Sequence, residues 1–304
     1  MEWNRPLVIA DRGLNAVTRD YRKIEVKPYA GACGAEVDGV RLSAPLDDET
    51  LAEVKQAFLD HQALFFRDQE IVPEGLKAFG AHFGGFLSHS FVDGVEGHPE
   101  IMVIVKEPED KHNFAGTWHS DMTFEETPPL GSILCGLEIP EYGGNTLFAN
   151  QYLAYDMLSE TYKRMLDGVN AVHGGELVYG PQGEYAGSDY KKGHDGTGIT
   201  IAEEANRRYV HPIVRTHPET GRKALFVNEP FTVGIEGMTN DEAEPILRYL
   251  YRHATRPDFC CNFRWESGSV AFFDNRCVQH YPLNDYPGRR RVLWRLTIAG
   301  DRPF

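Results

Sequence analysis

Stretches in which apolar and polar side chains alternate outnumber helical stretches in this chain, and this limits the fold more than any other feature. Side chains on a strand point to opposite faces with a period of two. That period runs through Ile24-Glu25-Val26-Lys27 and through Ala35-Glu36-Val37-Asp38-Gly39-Val40. Residues 101–105, 131–137, 209–216, 224–227, 269–273 and 292–299 also read as strands, and the apolar run Ala63-Leu64-Phe65-Phe66 reads as a buried one. Helical spacing is confined to a few places. Asp47 or Asp48 caps a helix through Leu51, Val54, Phe58 and His61, because a short side-chain oxygen can accept from the free N–H groups of a first turn. Pro73 opens a helix over 76–83 that stops at Gly84-Gly85. A helical pair follows Asn150, over 153–158 and 159–166, and Asn240 caps a last helix reaching about Arg256. Strands with helices inserted among them, without regular β-α alternation, argue against a doubly wound sheet. The expected fold is mainly β with inserted helices, a double-stranded β-helix or jelly roll.

No linker rich in proline, serine or charge divides the chain, and no internal repeat is visible. At 304 residues, with 41% hydrophobic and 12% aromatic content, it can bury a sizeable core, and residues 1–304 are read as a single domain. One segment shows no period. Between Gly174 and Gly198 lie eight glycines and several tyrosines, a long connection to leave without structure inside a domain. Such a segment is either a functional lid or disordered, and a lid over 174–198 is the expectation.

The N-terminus, Met1-Glu2-Trp3-Asn4-Arg5, lacks the basic-then-apolar form of a secretory signal, and no apolar run approaches the length of a membrane span. The five cysteines, Cys33, Cys135, Cys260, Cys261 and Cys277, are odd in number and form no C-x-x-C pair. They suit a reducing cytosol better than a disulfide framework or structural zinc, so a cytoplasmic protein is expected. The net charge of −14 argues against non-specific nucleic-acid binding and against an anionic membrane surface. A small anionic partner would be repelled by that field, so local arginine and histidine must capture it.

Candidate chemistry concentrates at His119-Ser120-Asp121, at His280 far downstream, and at Arg291 beyond it. Two imidazoles and one carboxylate make the facial triad of non-haem Fe(II) oxygenases, which leaves positions open for O2 and a co-substrate. An H-x-D pair on an extended segment puts both side chains on one face. With 12 histidines and 45 acidic residues in the chain, such a pair says little alone, and each histidine alone reads as an ordinary strand residue. Alternation adds a second signal. Arg291, Leu293 and Arg295 share one face of the last strand, while Val292, Trp294 and Leu296 share the other. Two arginines on a face otherwise held by leucine need anionic partners, because a buried unpaired charge is strongly unfavourable.

The surrounding sequence carries a resemblance. Trp118-His119-Ser120-Asp121-Met122-Thr123-Phe124 precedes Gly143-Gly144-Asn145-Thr146-Leu147-Phe148-Ala149-Asn150. Then come Phe226-Val227-Asn228-Glu229-Pro230-Phe231-Thr232, Trp265-Glu266-Ser267-Gly268-Ser269-Val270-Ala271 and Asp274-Asn275-Arg276-Cys277-Val278-Gln279-His280-Tyr281. Arg290-Arg291-Val292-Leu293-Trp294-Arg295-Leu296-Thr297 closes the series. In this order the blocks resemble the taurine dioxygenase / 2,4-dichlorophenoxyacetate dioxygenase family of Fe(II)/2-oxoglutarate enzymes, from about Val26 to the C-terminus. The resemblance implies the jelly-roll fold and the cofactors Fe(II), 2-oxoglutarate and O2. It implies that His119, Asp121 and His280 hold the iron and that Thr146 and Arg291 bind 2-oxoglutarate. Arg291 would hold the distal carboxylate in a bidentate pair, a geometry that guanidinium provides and ammonium does not. Arg295 and His89 match the residues that bind the substrate sulfonate in the taurine dioxygenase branch, and Phe124 and Phe231 match its apolar walls. A homo-oligomer, dimer or tetramer, is expected.

Two positions depart from that branch. Val92 stands where the branch has a tyrosine, and Ala115 where it has an asparagine. Both changes enlarge the pocket and make it less polar, so an organosulfonate bulkier or less polar than taurine is expected. The expected reaction hydroxylates the carbon next to the sulfur group, and the unstable product releases sulfite and an aldehyde, coupled to conversion of 2-oxoglutarate to succinate and CO2. An alternative is the same chemistry on a carboxylate, such as an aryloxyalkanoate or an amino-acid derivative. An alternative of another class is a non-catalytic jelly-roll binding protein, against which the complete triad argues, since a pure binder needs no open metal face.

Overall fold

In a computed structural model, residues 19–187 and 198–304 are described. The N-terminal residues 1–5 and residues 188–197 of the expected lid lie outside the described residues. In chain order the strands are β1 (Glu25–Pro28), β2 (Ala35–Asp38), β3 (Ala63–Phe66), β4 (Phe86–Leu87), β5 (Gly94–Val95), β6 (His98–Lys106), β7 (Gly131–Glu138) and β8 (Thr146–Asn150). They continue as β9 (Asn170–Gly174), β10 (Arg208–Pro212), β11 (Val214–Thr216), β12 (Lys223–Leu225), β13 (Thr232–Ile235), β14 (Cys260–Phe263), β15 (Val270–Asp274), β16 (Val278–Pro282) and β17 (Arg291–Ile298). The inserted helices are α1 (Asp48–His61), α2 (Pro73–Ala81), α3 (Gln151–Asp156), α4 (Glu160–Leu166), α5 (Glu176–Tyr179) and α6 (Asn240–Ala254).

One large sheet runs in the order β1-β2-β3-β15-β7-β17-β6-β5, and a three-stranded sheet runs β14-β8-β16. The pairings are antiparallel except for β2 with β3. Alternation explains how the two sheets pack. Phe65 and Phe273 of the large sheet point toward the small one, where Phe65 stacks on Phe263 at 4.1 Å and Phe273 meets Phe148 at 5.3 Å. The residues between them, Leu64, Phe66 and Phe272, point the other way and lie under Val54 and Phe58 of α1 and Leu76 and Phe79 of α2. Both faces of β3 and β15 are therefore covered, which is why β3 is apolar throughout and β15 is apolar up to its last residue, Asp274. Helices on one side and a second sheet on the other give the jelly roll with inserted helices.

Element boundaries differ from the sequence reading in instructive places. Asp47 is the α1 cap, its carboxylate accepting from Thr50 N–H at 2.8 Å. The α6 cap is Thr239 and not Asn240, because Glu242 reaches back to accept from Thr239 N–H at 2.9 Å. The stretch 209–216 is two strands, broken where Ile213 N–H turns to Val169 O at 3.0 Å. The start of the expected lid is ordered: it contains the end of β9, α5 and a 3-10 turn over Glu184–Gly187.

Candidate active site

His119 enters the site through a single bridge. Its N–H donates to His280 O (3.1 Å) and its carbonyl accepts from His280 N–H (2.8 Å), which sets the two rings 4.2 Å apart. His280 is the central residue of β16, paired with Phe148 of β8. The extended segment expected through Asp121 requires correction: pairing stops at His119, and Asp121 begins a turn in which Met122 adopts φ +48°. Alternation survives across the three residues, since Ser120 Oγ donates to Val278 O at 2.8 Å. Asn275 takes the place of a partner strand. Its Oδ1 accepts from Asp121 N–H at 2.6 Å and its amide donates to Asp121 O at 2.9 Å.

The donor atoms converge. Asp121 Oδ1 lies 3.6 Å from His119 Nε2 and 4.0 Å from His280 Nε2, and all three residues are buried. His119 Nδ1 faces Thr117 O at 2.7 Å. A carbonyl only accepts, so Nδ1 carries the proton and Nε2 presents its lone pair to the cluster. Burial, and then the neighbouring His119, pushes His280 down to about 3, so its ring is neutral near pH 7. Burial opposes ionisation of Asp121, but Arg295 and the histidines outweigh it and hold the carboxyl well below the usual range. Asp121 Oδ2 accepts from Ser132 Oγ at 2.7 Å. Two imidazoles and one carboxylate fit Fe(II) with positions left open.

Arg291 and Arg295 share a face of β17, as expected, and line one cavity with His119, His280, Thr146 and Leu293. Arg291 is 4% exposed, and among the described residues no acid pairs with it. Its Nη2 lies 3.4 Å from Thr146 Oγ1, and its Nε has no partner. Thr146 Oγ1 also accepts from Trp265 Nε1 at 2.9 Å. With N–H donors approaching its oxygen, the hydroxyl hydrogen of Thr146 is left for an acceptor in the cavity. Arg295 corrects one expectation. One of its anionic partners is resident: Nη1 donates to Asp121 Oδ1 at 2.8 Å, so its burial does not by itself require an outside anion, while its other N–H groups are left to donate to one. Its Nε stays buried without a partner.

His89 packs against Phe124 and Tyr179, with ring centroids 6.2 and 5.2 Å away. Burial, then the Arg295 charge, pushes it down to about 3. Its Nδ1 accepts from Phe91 N–H at 3.1 Å, and its Nε2 faces Tyr179 Oη at 3.3 Å. Phe124 and Phe231 meet edge to face at 4.9 Å, and Phe231 reaches His119 at 6.3 Å. Val92 and Phe114 complete the same apolar cluster with Tyr179, Tyr185 and Ile199. Ala115 adopts φ +53°, and its N–H donates to Tyr185 Oη at 2.8 Å. Of the expected residues, His119, His280, Thr146, Arg291 and Arg295 line one cavity, Asp121 joins the two histidines, and Phe231, Phe124 and His89 follow outward from His119 by ring contacts. The sequence reading missed Asn275, Ser132, Trp265, Tyr179 and Tyr185; two of these lay inside quoted motif blocks, but nothing local marks their partners.

A second convergent group, His217, Asp274 and Cys277, is a packing device. Arg276 grips both Asp274 oxygens at 2.8 Å and His217 Nε2 completes them at 3.0 Å, which leaves the carboxylate saturated, and burial raises the Cys277 thiol.

The profile of the family described as "Taurine catabolism dioxygenase TauD, TfdA family" matches residues 25–297. An alkylsulfatase of Acinetobacter baylyi is 33% identical over 281 residues, covering 92% of this chain and 86% of that one. An alpha-ketoglutarate-dependent sulfate ester dioxygenase of Pseudomonas putida is 32% identical, covering 92% and 91%. The crystal structure of a taurine dioxygenase from Burkholderia xenovorans superposes with a TM-score of 0.77 at 37% identity, covering 93% of each chain.

Proposed function

The chain belongs to the TauD/TfdA dioxygenase family, and from that premise we propose that it hydroxylates the carbon next to the sulfur group of an apolar organosulfonate, releasing sulfite and an aldehyde. The family fixes the reaction class as Fe(II)- and 2-oxoglutarate-dependent oxygenation. His119, Asp121 and His280 would hold the iron, which when bound supplies the oxidation of 2-oxoglutarate to succinate and CO2 and the activation of O2. Asn275 and Ser132 orient Asp121. Arg291 and Thr146 bind the distal carboxylate of 2-oxoglutarate. Arg295 and the His89 side of the cavity take the substrate anion, and Phe124 and Phe231 wall off water.

The observation that carries this reading is Arg291, a buried guanidinium that pairs with no acid among the described residues, beside a complete donor set on the same face of one cavity. A sulfate monoester is a second substrate reading, favoured by the apolar wall of Val92, Phe114 and Ile199, because a long alkyl chain suits that wall better than an amine does. Segment 174–198 is read as a lid, supported over its described residues 174–187 by Tyr179 and Tyr185, which pack in one cluster with Phe124 and Phe231; hydrogen exchange that stays unchanged on ligand addition would remove that role. The core shared by both sheets supports a single catalytic domain, and five free cysteines support a reducing compartment. The test is a panel of alkanesulfonates, alkyl sulfates and aryloxy acids, assayed with Fe(II) and 2-oxoglutarate for succinate and sulfite. Sulfonate-dependent succinate with stoichiometric sulfite is expected. A neutral compound as best substrate, or no stimulation of succinate by any anion, refutes the proposal.

A further inference from the structure

We infer that Tyr179 presents a hydrogen-bond donor to the substrate's sulfur oxyanion and is the residue by which this enzyme prefers a sulfonate over a carboxylate. The inference rests on the proposed function and adds a residue that the sequence reading did not assign. It starts from His89. The Nδ1 of that ring accepts from Phe91 N–H at 3.1 Å. A neutral imidazole has one N–H, so the proton sits on Nε2. Nε2 faces Tyr179 Oη at 3.3 Å, so the imidazole donates and the phenol oxygen accepts. The phenol hydrogen is then turned away from His89. Among the described residues no other acceptor engages it, although Tyr179 is 3% exposed. A buried hydroxyl hydrogen without an acceptor is unfavourable.

Position shows where that hydrogen goes. The Tyr179 ring stacks on Phe91 at 5.0 Å, meets Phe124 at 5.8 Å and lies 6.5 Å from Phe231, which abuts His119. The phenol is thus part of the wall between His89 and the iron ligands. Met102, which sits opposite Arg295 across β6 and β17 and on the same face, packs in the apolar cluster that holds Tyr179, so the phenol and the guanidinium border one region. Arg295 Nε is buried and unpartnered there. Donors from two directions suit the three oxygens of a sulfonate or sulfate, which point to the corners of a tripod. A carboxylate offers two oxygens in one plane, so it meets donors from two directions with poorer geometry than the tripod of a sulfonate does. His89 acts as a positioning residue that orients Tyr179.

The test compares wild type with Tyr179→Phe, which keeps the ring and its stacking on Phe91. Binding of hexane-1-sulfonate and of heptanoate is measured by calorimetry on protein loaded with iron and 2-oxoglutarate under anaerobic conditions, alongside KM and kcat for succinate formation. Loss of one hydrogen bond to a charged group should weaken hexane-1-sulfonate binding roughly 10- to 100-fold. Heptanoate affinity, 2-oxoglutarate affinity and kcat at saturation should change less than about threefold. His89→Asn should lower the sulfonate-to-carboxylate preference in wild type and have little further effect in the Tyr179→Phe background. Equal sulfonate affinity in wild type and Tyr179→Phe, or a wild type without sulfonate preference, overturns the inference. Tight sulfonate binding without turnover would refute the proposed reaction instead, and the binding ratio would still judge Tyr179.

Discussion

Replacing Arg291 by methionine should make the protein more stable and abolish its use of 2-oxoglutarate. The guanidinium is buried, its Nε has no partner, Thr146 lies 3.4 Å from its Nη2, and the Trp265 and Tyr286 rings lie about it at 5.8 and 6.0 Å, with no acid paired to it among the described residues. Burial lowers its proton affinity, and Tyr286 and the nearby Asp285 restore only part of it. Removing buried charge in favour of an apolar side chain of similar volume stabilises proteins by about 1–4 kcal/mol where the charge is poorly compensated. For a 304-residue chain each kcal/mol moves Tm by about 1.5 °C, so the ligand-free variant should melt a few degrees above wild type. With 2-oxoglutarate the order should reverse. Ligand at a hundred times its Kd adds about 2.7 kcal/mol to wild type, and the methionine variant should gain far less. Arg291→Lys keeps a charge without the bidentate fork, and its 2-oxoglutarate affinity should fall by about 2–5 kcal/mol. Thermal shift with and without 2-oxoglutarate, in anaerobic Fe(II), reads both effects. A variant that melts lower than wild type without ligand yet gains as much from 2-oxoglutarate would show that Arg291 is a structural residue.

Three further outcomes follow from the site. His119→Ala, Asp121→Ala and His280→Ala should each lose Fe(II) binding and turnover while retaining the wild-type circular dichroism spectrum, and a variant with near-normal iron content removes that residue from the ligand set. Asn275→Ala should weaken iron about 10- to 100-fold with the ligands intact, since outer partners tune metal affinity on that scale; unchanged affinity in a metal titration would show that the turn holds Asp121 unaided. His89 and His280 are both held near 3, below the unfolded value of about 6.5. The unfolded chain takes up protons below that value and the folded one does not, so these two histidines leave stability unchanged above about pH 6.5 and erode it from there toward pH 3. At pH 5.5 the loss is about 1.4 kcal/mol for each; urea midpoints that stay constant between pH 7.5 and 5.5 would contradict it.

What could be read from the sequence divides along physical lines. β17 was legible because one face carries Arg291, Leu293 and Arg295 and the other packs against apolar neighbours. α1 was legible because its cap and its buried stripe lie within one helix. The α6 cap was misplaced by one residue, although Thr239 with Glu242 three positions on is itself a capping signal. The short strands β9, β13 and β14 were not legible, because each owes its existence to partners far away in the chain. The same holds within the site. His119, Asp121 and His280 stood out by residue type, but Asn275 reaches Asp121 across 154 positions and Trp265 reaches Thr146 across 119. That Asp121 already answers the charge of Arg295 is a fact of three dimensions alone.

Arg291 and Arg295, proposed to address co-substrate and substrate, stand on one strand, β17, clasped between β6 and β7 in the large sheet. Their Cα spacing is therefore set by four steps of backbone rise, about 13 Å, and cannot drift without breaking ladder bonds on both sides. The walls that judge the rest of the substrate come from elsewhere: from residues 89–92, from 113–115 and from 176–185. Under selection, these two parts of the site can change at different rates. Substitutions in the walls can retune what is accepted while the distance between the two charges stays constant. A laboratory search for new substrates should therefore mutate the walls and leave the strand alone, and should expect every accepted molecule to present its anion at the same depth.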